Sequence, residues 1–154
     1  MEQKRLFLLD AYALIFRAYY ALMRNPRFSK SGIDTSAIFG FVNTLQDLLK
    51  RENPSHIAVC FDPKGKTFRH EAYEQYKANR DETPEGIKVA VPYIKRILEA
   101  YRIPIFEVPG FEADDVIGTL SQKASSAGFM TYMVTGDKDF GQLVNEHAKI
   151  YNPG

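Results

Sequence analysis

This sequence predicts an α/β fold, a mostly parallel open sheet flanked by helices, and three observations carry the prediction. Short apolar runs alternate with longer segments of helical periodicity. The runs are strand-sized and several are rich in β-branched or aromatic residues, as buried strands are. Acidic residues recur just after them. A ligand of an open parallel sheet lies beyond the carboxyl ends of its strands, so acids placed there converge on one crevice although they are remote in sequence.

Residues 6–9, 57–61, 105–108 and 130–134 are the strand-like runs, and Ile150 with Tyr151 begins a fifth. Between them, Ile38, Val42, Leu45 and Leu49 recur at helical spacing over residues 36–50, with Lys50 and Arg51 followed by Pro54 as the stop. Ile87, Val91, Ile94 and Leu98 make the same stripe over 85–100, where Thr83 before Pro84 supplies a cap and first turn. Over 112–126, Ala113, Val116, Ile117, Leu120 and Ala124 face inward and Gly128 ends the helix.

Two connections exceed what such a fold needs. Residues 11–32 carry Arg17, Arg24, Arg27 and Lys30 with no acid before Asp34. Residues 63–83 carry Lys64, Lys66, Arg69, Lys77 and Arg80 together with Phe68, Tyr73 and Tyr76. Long insertions at the ligand edge of a sheet are where function concentrates.

With 154 residues, 45% of them hydrophobic, the chain is long enough to bury one sizeable core. Its net charge of +1 averages over a polar map that is far from even. One cysteine, Cys60, lies inside an apolar run, which excludes an internal disulfide and suits a reducing cytoplasm. Only four apolar residues separate Lys4 and Arg5 from Asp10, too few for a secretory signal or a membrane span. A soluble protein is expected.

The acids that follow strands are Asp10, Asp62, the trio Glu112, Asp114 and Asp115, and the pair Asp137 and Asp139. Clustered carboxylates repel one another, and hard oxygen ligands suit Mg²⁺ or Mn²⁺. His56, His70 and His147 are scattered, which argues against zinc. Two divalent ions about 3.5–4 Å apart generate hydroxide and stabilise the leaving oxygen of an in-line displacement at phosphorus, so phosphodiester hydrolysis fits the acids best. Taken alone, the trio is a charged helix start that complements the helix dipole. As metal ligands, acids such as Asp115 are expected to contribute nothing to stability.

Arg69, Tyr73, Tyr76 and Arg80, spaced four, three and four apart, form one helical stripe with Lys77 beside it. Cations and stackable rings suit single-stranded nucleic acid. Glu71, Glu74, Asp81 and Glu82 dilute that charge, and the plainer reading is an ordinary surface helix.

The motifs Phe7-Leu8-Leu9-Asp10, Phe61-Asp62, Phe68-Arg69-His70, Tyr76-Lys77-Ala78-Asn79-Arg80, Gly110-Phe111-Glu112-Ala113-Asp114-Asp115 and Thr135-Gly136-Asp137-Lys138-Asp139 occur in that order along nearly the whole chain. Together they resemble the flap-endonuclease family, in the form of the 5′-nuclease domains of bacterial DNA polymerase I. The resemblance implies a PIN-like α/β fold with a helical arch at about residues 63–83, through which a 5′ single strand passes. It implies metal ligation by Asp10, Asp62, Glu112, Asp114, Asp115, Asp137 and Asp139, with Mg²⁺ as cofactor, Mn²⁺ as substitute and two ions in the complete domain. Lys77 and Arg80 become the catalytic residues that engage the scissile phosphate, Tyr76 a base contact, and Arg17 a phosphate contact.

The implied reaction removes 5′ flaps and RNA primers from DNA in replication and repair. The implied protein is a bacterial, cytoplasmic, nucleoid-associated monomer, fused to a polymerase module. The family continues beyond Asp139 into a helix–hairpin–helix region that these residues do not represent, so residues 1–154 are expected to be the N-terminal part of such a domain. Two other readings stand beside it: a free-standing PIN-type ribonuclease, which has no need of a long cationic arch, and a noncatalytic module that binds metal and DNA.

Overall fold

The computed structural model describes residues 3–63, 83–136 and 138–153, with Lys138 and Asp139 in their backbone only. The expected arch falls almost wholly outside the described residues. In chain order the elements are β1 (Arg5–Asp10), α1 (Ala11–Ala21), α2 (Ser36–Glu52), β2 (His56–Cys60), α3 (Glu85–Ala100), β3 (Ile105–Phe106), α4 (Ala113–Ser126), β4 (Met130–Val134), a 3-10 helix (Lys138–Leu143) and β5 (Ala148–Tyr151). The strands form one sheet in the order β3-β2-β1-β4-β5, and every neighbouring pair runs parallel.

Period-two alternation divides the core between the two faces. Phe7, Leu9, Val59, Phe61 and Val134 pack on one face against α1, α2 and α3 through Leu14, Ile15, Phe41, Leu45, Ile87, Ile94 and Leu98. Leu8, Ala58, Cys60 and Met133 pack on the other against Ala113, Val116, Ile117 and Phe140. Each large side chain so buried contributes about 1.5–3 kcal/mol of transfer free energy. Burial on both faces is why these strands read as continuous apolar runs.

Three expectations need correction. Residues 11–21 are not connection but helix α1, whose buried residues Ala11, Leu14, Ile15 and Ala18 fall at helical spacing. Arg17 apart, its other positions are also apolar or aromatic, so no continuous polar face marked the period. The cap of α3 is Pro84 rather than Thr83, with no side chain capping it. Strand β3 stops after Phe106, so Glu107 lies beyond the strand instead of inside it.

Gly40 shows how tightly α1 and α2 cross. A Cβ there would lie 2.6 Å from the Cβ of Ala18, so only glycine fits.

Candidate active site

Strand register assembles the site. Asp10 pairs with Cys60 of β2, and Leu9 pairs with Val134 of β4. Asp10 therefore stands between the end of β2, two residues before Asp62, and Thr135, the residue after β4. Its carboxylate is only 8% exposed and accepts a hydrogen bond from the Thr135 hydroxyl at 3.1 Å. Asp62 Oδ1 accepts the backbone N–H of Ala113, the first residue of α4, at 2.7 Å. One carboxylate is thus tied to the β4 end and the other to the start of α4.

Electrostatics report the same convergence. Burial, then the charges of Asp10 and Asp62, push the Cys60 thiol up to about 12. Cys60 is a buried packing residue whose thiol stays protonated. Tyr12, in the first turn of α1, is also raised, by burial and then by the charges of Glu107 and Asp62.

The acidic start of α4 carries structure as well as charge. Asp115 Oδ2 accepts the backbone N–H of Glu112 at 3.1 Å, the return arm of a capping box. This bond gives Asp115 a structural partner that the sequence expectation did not include. Asp114 and Asp115 also border a cleft of about 340 Å³ between α4 and the 3-10 helix, lined further by Thr119, Gln122, Phe140 and Gln142. Buried Phe140 pins that helix to the sheet face covered by α4.

Among the described residues, no three His, Cys, Asp or Glu side chains stand close enough to hold a metal ion. Asp137 lies outside the described residues, and Asp139 is described in its backbone alone. Lys77, Arg80, Arg69, Tyr73 and Tyr76 also lie outside them. The donor set that is described fits a hard divalent cation, since it offers carboxylate oxygens beside a protonated thiol and no imidazole.

Arg17, exposed on α1, donates to Asn152 Oδ1 at 2.9 Å. Between α1 and α2 an exposed basic and aromatic surface holds Tyr20, Met23, Phe28 and Phe39, with the Arg27 guanidinium 5.1 Å from the Phe39 ring centroid. Sequence reasoning missed Thr135, Tyr12 and Glu107 as neighbours of the site's acids. Thr135 was visible as the polar residue closing an apolar strand, the same signal that marked Asp10. Glu107 was hidden by an overlong β3.

Comparison with known proteins adds the lineage. The family described as "5'-3' exonuclease, N-terminal resolvase-like domain" matches residues 5–153. The chain is 41% identical over 150 residues to a 5'-3' exonuclease of Aquifex aeolicus (strain VF5), covering 97% of this chain and 51% of that protein. It is 39% identical over 150 residues to DNA polymerase I of Bacillus caldotenax, covering 96% of this chain and 17% of that protein. The chain thus spans about half of the first relative's length and about a sixth of the second's. Among solved structures, a T5 5'-exonuclease with zinc ions bound superposes with a TM-score of 0.68 at 23% identity, over 96% of this chain and 55% of that one. A bacteriophage T5 flap endonuclease complexed with DNA and metal ions gives 0.66 at 23%, over 96% and 54%. The PIN-like fold expected from the sequence is the one found, and the chain belongs to the family of N-terminal, resolvase-like domains of 5'-3' exonucleases.

Proposed function

We propose that this chain is the sheet-bearing part of a Mg²⁺-dependent, structure-specific 5′ nuclease that hydrolyses phosphodiester bonds of DNA at 5′ flaps and RNA primers. One observation carries the reading: the nearly buried Asp10 closes β1, and the helix-capping Asp62 lies two residues beyond the adjacent β2, in a chain of the exonuclease family. Asp10, Asp62, Glu112, Asp114, Asp115, Asp137 and Asp139 would share the cations among them, the described acids alone bringing no three together on one ion. Bound divalent ions supply an activated hydroxide and neutralise charge on the leaving oxygen.

The chain's own residues prepare that chemistry. The Thr135 hydroxyl holds the Asp10 carboxylate at the crevice, and the Ala113 N–H holds that of Asp62. The Cys60 thiol, kept protonated, adds no competing charge. Lys77 and Arg80 grip the scissile phosphate from the arch, where Arg69, Tyr73 and Tyr76 hold the single strand. Arg17 and the basic surface between α1 and α2 contact the phosphates of the remaining DNA. The full-length protein is taken to be a monomer, fused to a polymerase module and acting in the bacterial cytoplasm on nucleoid DNA. Among the described residues, no helix is long and apolar enough to cross a membrane.

The test is cleavage of a 5′-labelled flap DNA with Mg²⁺ or Mn²⁺, beside an EDTA control and Asp62→Asn. Metal-dependent cutting near the junction, lost in the variant, is expected. Preference for single-stranded RNA would instead mark a PIN-type ribonuclease, and DNA binding without turnover a noncatalytic module.

A further inference from the structure

Beside Asp62 lies a polar pair that the proposed chemistry does not use. Lys95 of α3 and Glu107, the residue after β3, form an ion pair with Nζ and Oε1 2.6 Å apart, and both side chains are about two-thirds or more covered. The same ammonium sits 4.9 Å from the centroid of the Phe61 ring. Phe61 is fully buried, and its backbone N–H donates to the carbonyl of Phe106 at 2.8 Å. These contacts close a loop: ammonium to carboxylate, along the backbone from Glu107 to Phe106, across to Phe61, and from its ring back to the ammonium. Tyr12 packs edge-on against Phe61, with centroids 5.8 Å apart at 87°. Asp62 is the next residue along the chain.

We propose that Lys95 and Glu107 are a positioning pair that clamps the end of β2 and so sets where the Asp62 carboxylate stands. The inference rests on the nuclease reading in assigning Asp62 to the cation. Two physical effects act together. A charge-assisted hydrogen bond joined to a cation–π contact fixes Phe61 from the α3 side, so the backbone leading into Asp62 cannot tilt. Lys95 also engages Glu107, a carboxylate at the same sheet edge, and keeps it from drawing the cation away from Asp10 and Asp62. The pair touches neither the substrate nor the reacting atoms.

Hydrogen exchange at the Ala113 amide is the decisive readout, because Asp62 is the acceptor of that N–H and the measurement needs neither metal nor turnover. In Lys95→Met, read in EDTA, Ala113 should exchange about tenfold faster while the amides of Val116 and Ile117 keep their rates, the signature of a local and not a global opening. Mn²⁺ affinity should fall about tenfold, and kcat on flap DNA should fall with KM unchanged, because an interaction that acts on chemistry and not on substrate binding is lost. Lys95→Arg should restore all three. If Lys95→Met fails to fold, Glu107→Gln, which keeps an acceptor but removes the charge, gives the same readout. Wild-type exchange at Ala113 in a folded variant, or no rescue by arginine, overturns the clamp. Absence of metal-dependent cleavage in the wild-type protein would instead overturn the nuclease reading, with the clamp still decided by Ala113.

Discussion

Asp62 has two jobs whose energies can be separated by choosing what replaces it. Its Oδ1 caps the N–H of Ala113, which is only 2% exposed, and on the proposed reading its charge would serve a bound cation. Alanine removes both. An orphaned helix-start donor costs about 0.5–2 kcal/mol by cap deletions and about 1–3 kcal/mol as a buried unsatisfied group. Relief of repulsion from Asp10 offsets part of that, so about 1–2 kcal/mol should remain. For a domain of this size 1 kcal/mol shifts Tm by about 2–4 °C, giving a fall of about 2–8 °C in EDTA. Asparagine keeps an amide oxygen to accept from Ala113, so its Tm in EDTA should stay within about 4 °C of wild type, a change of under about 1 kcal/mol.

Metal then reverses the comparison. At a free Mn²⁺ concentration of about 100 Kd the wild-type protein gains about 2.7 kcal/mol, equivalent to about 5–10 °C, and neither variant should gain it. Scanning calorimetry of the three proteins, with and without Mn²⁺, reads all of this. An Asp62→Asn protein that rises with Mn²⁺ as the wild type does would refute the ligand role. An Asp62→Ala protein with unchanged Tm in EDTA would refute the cap.

Three further outcomes are expected. Asp115→Ala should lose about 0.5–2 kcal/mol in urea titrations without metal, since it deletes the capping-box arm to Glu112; unchanged stability would show that arm to be energetically silent. Thr135→Val is nearly isosteric and removes one donor to the buried Asp10 carboxylate, so stability in EDTA should drop by about 1.5–3 kcal/mol; an unchanged urea midpoint would show that this hydrogen bond has no net value. The folded Cys60 thiol titrates near 12 and the unfolded one near 9, so the unfolded state loses its proton first as pH rises. Stability in EDTA should therefore fall between those values, by at most about 1.4 kcal/mol per pH unit from this group. Cys60→Ala should flatten that dependence, and an identical slope in the variant would show that the thiol does not contribute.

Long-period patterns were legible in the sequence and spatial adjacency was not. The stripe of α3 and the residues of β4 stand where periodicity placed them, because one helix face and a short buried strand each leave a clean signature. Helix α1 was missed for the opposite reason. Tyr12, Phe16 and Tyr19 fill its partly covered side with aromatic rings and Tyr20 adds an exposed one, which erases most of the polar half of the pattern. The acids Asp10 and Asp62 were found by their position after strands, but that Thr135 would meet Asp10 depends on the register of β1 with β4, a pairing between remote segments. Glu107 depended on a boundary one residue wide, and the cap at Asp115 on a backbone angle at the turn into α4. A carboxylate in a first helical turn looks the same in sequence whether it caps, ligates or does both.

The central place of β1 has a consequence for how the protein comes into being. Its neighbours in the sheet are strands that arrive about 50 and 125 residues later, so on a growing chain one edge of β1 stays unpaired until β4 has been made. Parallel pairing across such separations closes large loops and is slow. The contact of Asp10 with Thr135 belongs to that same late closure. A half-made chain therefore lacks the seam between β1 and β4, and the crevice at the end of that seam is among the last features of the fold to form.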